Sequence, residues 1–195
     1  MIKPQESIVL ETNRLILRPI TIDDASPMYK NWASDPEVSR YLTWEAHESI
    51  ETTKAIINNW CLKYLEQPTF FLWLIVLKSN QEPIGTTNLF NVDHLLLSGE
   101  VGYCIGKKYW NHGYMTEALM AILAYAFIKN NFQKITAKHA IENPASGKVM
   151  LKCGFHYEKT SFKASNRPYQ SGHLLEYSIS RKEWMKGKDK DEEVG

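Results

Sequence analysis

Apolar and polar positions change period several times along the chain, and each change predicts an element. Residues 14–20 (RLILRPI) read as a strand. Thr21 stands ahead of Asp23 and Asp24 as a helix cap, and Ala25, Met28, Tyr29 and Trp32 follow at helical spacing. Asp35 and Pro36 suit the cap and first position of a short helix or turn. Over 47–66, Ile50, Ile57, Trp60, Cys61 and Tyr64 share one face, which predicts an amphipathic helix packed on a sheet. Residues 70–77 are almost continuously apolar or aromatic, and KSNQEP separates them from 84–90, so the two read as an antiparallel pair. A third strand is predicted over 100–105. Residues 116–128 are apolar almost all round, the pattern of a helix buried against a sheet, ending near Asn130 and Asn131. A strand over 132–140 leads to Asn143 and Pro144, the cap and first position of a helix stopped by Gly154. Strands over 155–160 and 174–180, with a polar loop between them, close the sheet. The end, KGKDKDEEVG (186–195), reads as a solvated or disordered tail after a single domain spanning 1–185.

Composition narrows the picture modestly. A chain of 195 residues, 44% hydrophobic and 12% aromatic, buries a real core and is most simply one domain. Lys and Arg total 23 against 22 acidic residues, a net charge of +1 without a basic block, so nucleic-acid binding is not expected. The start, MIKPQESIVLE, lacks the apolar region of a signal peptide, and no run of about twenty apolar residues suggests a membrane span. A cytoplasmic protein is expected. Cys61, Cys104 and Cys153 are widely spaced and read as reduced, buried small residues; no metal site is expected.

The stretch KKYWNHGYMTEA (107–118) carries the chemistry. It joins the strand EVGYCI to the apolar helix through a short polar loop with one glycine. The first amides of such a helix have no intrahelical acceptor, the helix dipole adds positive charge, and Gly113 lets the backbone come close to a phosphate. An ordinary strand-to-helix turn, relieved by Gly113, is the plainer reading of the same residues.

With the surrounding sequence the odds change. EVGYCIGKKYWNHGYMTEAL and, further along, ENPASGKVMLKCGF resemble the acetyl-CoA-binding core of the GNAT superfamily of N-acetyltransferases. ETNRLILRPIT and DPEVSRYLTWEAHES extend the likeness to the branch typified by the RimJ/RimL acetyltransferases of ribosomal-protein N-termini. The usual pyrophosphate loop has Arg or Gln followed, three and five residues on, by Gly and then Gly or Ala; these places hold Trp110, Gly113 and Met115 here. The Met115 side chain must then point away from the cofactor, into the core or toward the substrate.

The resemblance implies an α/β (α+β) GNAT fold: a mixed, mostly antiparallel sheet of about six or seven strands, splayed between its central strands and flanked by about four helices. It implies acetyl-CoA as acetyl donor, held by Lys107, Trp110, Asn111, His112, Gly113, Tyr114, Met115 and Thr116 around the pyrophosphate. The backbone of Tyr103, Cys104 and Ile105 would pair with the pantetheine arm, their side chains being plain core. Asn143 would hydrogen-bond the pantetheine region, although Asn before Pro is also a preferred helix cap that needs no cofactor. Ser146 would assist the departing thiolate. Other GNAT members use a tyrosine farther into that helix, where this chain has Met150 and Leu151.

The general base stays open. Glu100 could orient a water toward the amine, His139 titrates in a suitable range, and Glu45 and His47 could line the acceptor pocket; each also reads as ordinary surface. The acceptor expected is a protein N-terminal α-amine, such as that of a ribosomal protein, acetylated by a monomer or homodimer. The alternatives are a small-molecule amine (polyamine, amino acid or antibiotic) and a non-catalytic acyl-CoA-binding module.

Overall fold

The computed structural model describes residues 8–67, 69–163 and 172–192. Among these residues eight strands form one sheet: β1 (Leu10–Glu11), β2 (Leu15–Arg18), β3 (Phe71–Leu77), β4 (Pro83–Asp93), β5 (Ser98–Ile105), β6 (Lys134–Ala140), β7 (His156–Lys163) and β8 (Gly172–Ser180). Their order is β1-β2-β3-β4-β5-β6-β8-β7. Every neighbouring pair is antiparallel except β5–β6, which is parallel. The two-residue β1 brings the count to eight; it is too short for a period to announce it.

Among the described residues six α-helices accompany the sheet: α1 (Ala25–Met28), α2 (Pro36–Ser39), α3 (Ile50–Glu66), α4 (Tyr114–Ala124), α5 (Pro144–Lys152) and α6 (Arg181–Glu192). Helices α1 and α4 continue as π-helical turns, Tyr29–Ala33 and Tyr125–Lys129. Helix α3 starts at Ile50 rather than at 47, because the Ser49 side chain accepts from the Thr52 amide. His47 instead ties the preceding loop down, its amide donating to Ala33 O and its Nδ1 lying 2.8 Å from Thr53 Oγ1. Helix α6 takes in residues 186–192 of the expected tail. Residues 193–195, the first seven residues and most of the expected polar loop (164–171) lie outside the described residues.

Each face of the sheet carries its own core. Leu72, Leu74 and Val76 of β3 pack with Met28, Trp32 and Ile57 under α1 to α3. Phe71, Trp73, Ile75 and Leu77 pack with Ala118, Leu119, Ile122 and Met150 under α4 and α5. Strand β3 is covered on both faces, which is why it reads as an unbroken apolar run. Burying each of these large side chains contributes about 1.5–3 kcal/mol.

The crossover β5–α4–β6 places the site. Strands β5 and β6 pair only at Ser98–Lys134, Gly99–Ile135 and Glu100–Thr136. Beyond these positions β5 stays with β4 as far as Ile105, while β6 stays with β8 as far as Ala140. The carboxyl ends of the two parallel strands therefore part. Helices α4 and α5, which follow these ends, lie on the same face of the sheet.

Candidate active site

The entry to α4 matches the anion-ready loop read from the sequence. A 3-10 turn, Lys107–Tyr109, leads to a backbone that is left-handed at Asn111 (φ 63°) and Gly113 (φ 77°). Gly113 caps α4 and brings no side-chain acceptor, and the first amide to find an intrahelical carbonyl is that of Glu117, 3.0 Å from Gly113 O. The amides of Tyr114, Met115 and Thr116 are thus the available donors at the positive end of the dipole. A Cβ built on Gly113 would meet only Arg14 Nη2, at 3.6 Å, so the loop is sterically open there. These features fit a bound pyrophosphate.

The loop side chains divide. Met115 points into the core, 6% exposed, as its size required. The His112 ring stacks on Tyr114 at 5.6 Å, and its Nδ1–H donates to Trp110 O. Trp110 Nε1 donates to Ile105 O at 2.8 Å, so one carbonyl at the end of β5 is already engaged. The Lys107 ammonium pairs with Glu37 of α2 in an exposed ion pair.

Across the splay, Asn143 caps α5 through Oδ1, which accepts from the Ser146 amide. The capping role is therefore filled, and the Nδ2 donors remain without a partner among the described residues. Ser146 Oγ lies 3.0 Å from Tyr103 Oη, and Tyr103 Oη also donates to Ser146 O at 3.0 Å. Since the phenol has one proton and gives it to the carbonyl, the serine hydroxyl is the donor in the pair. Burial pushes the Tyr103 phenol well above its ordinary range, a shift that the Ser146 hydrogen bond opposes in part. The Tyr103 side chain is therefore more than core, contrary to the sequence expectation. No spacing rule joins a strand residue to a helix start so far along the chain.

Alternation along β5 divides the site between two faces. Val101, Tyr103 and Ile105 belong to the core under α4 and α5, whereas Cys104 belongs to the core under α1 to α3. Glu100 shares the face of Cys104, opposite Ser146. It lies at the root of the splay, 8% exposed, with Oε2 3.1 Å from Lys138 Nζ and 3.2 Å from Asn91 Nδ2. A cavity of about 300 Å³ opens beside it against Thr136, Lys138, Glu158 and Glu176.

The other base candidates lie elsewhere. His139 is 7% exposed on the α4–α5 face, with Nδ1 donating to Ala140 O at 2.7 Å and its ring stacked on Tyr177. Its Nε2 is buried without a partner among the described residues and abuts Gly147. His47 is buried against Thr53, and burial lowers its pKa. Glu45 is exposed in the loop between α2 and α3.

A sheet parted at the ends of a parallel pair, with a glycine entry to the crossover helix that has no side-chain cap, fits a phosphorylated ligand held across the sheet. The acetyltransferase (GNAT) domain family matches residues 14–156. The uncharacterized N-acetyltransferase YoaA of Bacillus subtilis is 33% identical over 150 residues, 77% of this chain and 84% of that protein. Among solved structures, a GNAT-family acetyltransferase from Bacillus anthracis superposes with a TM-score of 0.78 at 23% identity, covering 90% of this chain and 100% of that one. The ribosomal-protein-S5-alanine acetyltransferase from Vibrio fischeri superposes with a TM-score of 0.77 at 20% identity, covering 91% and 98%. The chain belongs to the GNAT family. It is an N-acetyltransferase, and its acetyl donor is acetyl-CoA.

Proposed function

We propose that the enzyme acetylates protein N-terminal α-amines, such as that of a ribosomal protein, by direct attack of the amine at the splay in a ternary complex. The observation that carries the acetyl-transfer part of this reading is the coincidence, at one end of the parallel pair, of the open left-handed entry to α4 and the parting of β5 from β6. Acetyl-CoA supplies an acetyl group activated as a thioester, and every other demand falls on the chain. The Tyr114, Met115 and Thr116 amides donate hydrogen bonds to the pyrophosphate. The backbone of Tyr103 faces the splay to pair with the pantetheine arm and to stabilise negative charge developing on the thioester oxygen, whereas that of Cys104 is turned to Thr86 of β4 and Ile105 O is held by Trp110. Asn143 offers its Nδ2 donors to the same arm.

The two faces of β5 separate the proton transfers. Glu100, on the side with the cavity, accepts the proton of the attacking amine through a water, its carboxylate held by Lys138 and Asn91. Ser146, on the opposite side, turns its hydroxyl from Tyr103 to the departing sulfur. An α-amine of pKa near ~8 has an appreciable neutral fraction, whereas a lysine near ~10.4 has very little. A carboxylate already ion-paired suits the first acceptor better than the second. The likeness in fold to an enzyme named for a ribosomal-protein alanine agrees with this choice.

The test offers peptides with free N-termini, the same peptides blocked but containing lysine, and a panel of polyamines and aminoglycosides, with thiol release and mass spectrometry as readouts. Free N-termini are expected to give the highest kcat/KM. Comparable or better values for the panel would replace this reading with the small-molecule one.

A further inference from the structure

Glu117 presents a difficulty to a phosphate-binding loop. It is in the first turn of α4, where a carboxylate suits the helix dipole but repels a bound anion. The structure answers it from the other end of the domain. Arg14, just before β2, gives Nε to Glu117 Oε2 at 2.6 Å and its amide to Oε1 at 2.9 Å. Thr12 Oγ1 donates to Oε1 at 2.6 Å. Burial raises the Glu117 pKa, but the hydrogen bonds from Thr12 and Arg14 outweigh it and hold the carboxyl below its usual range.

The same guanidinium grips the loop itself. Nη1 donates to His112 O at 3.0 Å, and the guanidinium carbon lies 4.5 Å from the centre of the Tyr114 ring, which in turn stacks on His112. Nη2 has no hydrogen bond among the described residues. It is the atom nearest the place where Gly113 lacks a Cβ. One side chain thus neutralises the adverse carboxylate, fixes the carbonyl before the left-handed glycine, and keeps a charged donor on the open side of the loop.

We propose that Arg14 is the positioning residue of the acetyl-CoA loop, setting its anion-binding geometry through a fork to Glu117 and His112 O and adding positive charge beside Gly113. This rests on the acetyl-CoA reading of the loop. A lysine keeps the charge but not the planar fork, so it does not replace the arginine.

The test measures KM for acetyl-CoA, kcat and coenzyme A affinity by calorimetry in Arg14→Lys, Arg14→Ala, Glu117→Gln and Arg14→Ala/Glu117→Gln, with Gly113→Glu as control and thermal melts as a check on folding. Both Arg14 variants are expected to raise KM by roughly tenfold, with kcat changed less than KM. The double variant should regain part of the loss seen in Arg14→Ala, because no bare carboxylate then faces the phosphates. Lost affinity in Gly113→Glu alongside wild-type KM in Arg14→Lys, or melting changes without a KM change in Arg14→Ala, would overturn the proposal alone. Unchanged affinity in Gly113→Glu would remove the loop reading and the proposal with it. Should Arg14→Ala not fold, Arg14→Lys decides the matter by the same KM criterion.

Discussion

Substituting Gly147 by alanine tests how tightly α5 is seated on β6. Glycine inside a helix is ordinarily a weakness, and alanine there gains up to about 1 kcal/mol. At Gly147, however, a Cβ would sit 2.5 Å from His139 Nε2 and 3.0 Å from Cε1. The ring has little room to retreat, since its Nδ1 is bonded to Ala140 O and its face is stacked on Tyr177 at 5.5 Å. Helix α5 must therefore rise off the strand. Overpacking of this kind costs about 1–3 kcal/mol, so after a propensity gain of about 1 kcal/mol the net loss is about 1 kcal/mol at the middle of the range and about 2 kcal/mol at its top. At roughly 2–4 °C per kcal/mol for a chain of this size, Tm should fall by up to about 8 °C. Ser146 precedes Gly147, so its contact with Tyr103 should lengthen and turnover should fall as well. Calorimetric melting of Gly147→Ala, and of the same variant with His139→Ala, gives the answer. Removing the ring should restore Tm at least in part. A Gly147→Ala protein as stable as wild type would refute the steric argument, since helix propensity would then have prevailed.

Two further outcomes follow from the site and the buried histidine. Ser146→Ala should lower kcat by at least roughly tenfold with little change in acetyl-CoA affinity, and Tyr103→Phe should reproduce part of that loss by removing the two contacts that position Ser146; unchanged turnover in Ser146→Ala would reduce the residue to a helix-start position. Burial holds the His47 pKa below its ordinary 6.5, so the unfolded chain takes up a proton that the folded one refuses, and stability should decline as pH falls from 6.5 toward the lower folded value. This window lies above the carboxylates Glu117 and Asp24, whose ordinary values are 4.5 and 3.8. Denaturant unfolding at about pH 7.5 and about pH 5.5 should show the loss in wild type and a smaller one in His47→Gln; equal losses in both would place the effect elsewhere.

The elements were legible because each is set by neighbours in sequence. The two-faced burial of β3 shows as an unbroken apolar run, the Asn143–Pro144 cap as a dipeptide, and the left-handed entry to α4 as the one glycine of its loop. A resemblance resting on these local patterns was enough to foresee the family and the splayed sheet. What the sequence could not set is which side chains meet across the splay. Glu100 and Ser146 fall on opposite faces because β5 alternates and pairs with β6 for only three positions, a register that depends on the packing of both cores. Tyr103 reaches Ser146 across 43 residues of chain, and Arg14 reaches Glu117 across 103. Gly147 owes its identity to a ring on another element. Such contacts join residues that no period relates, so they exist only once both layers have packed on the sheet.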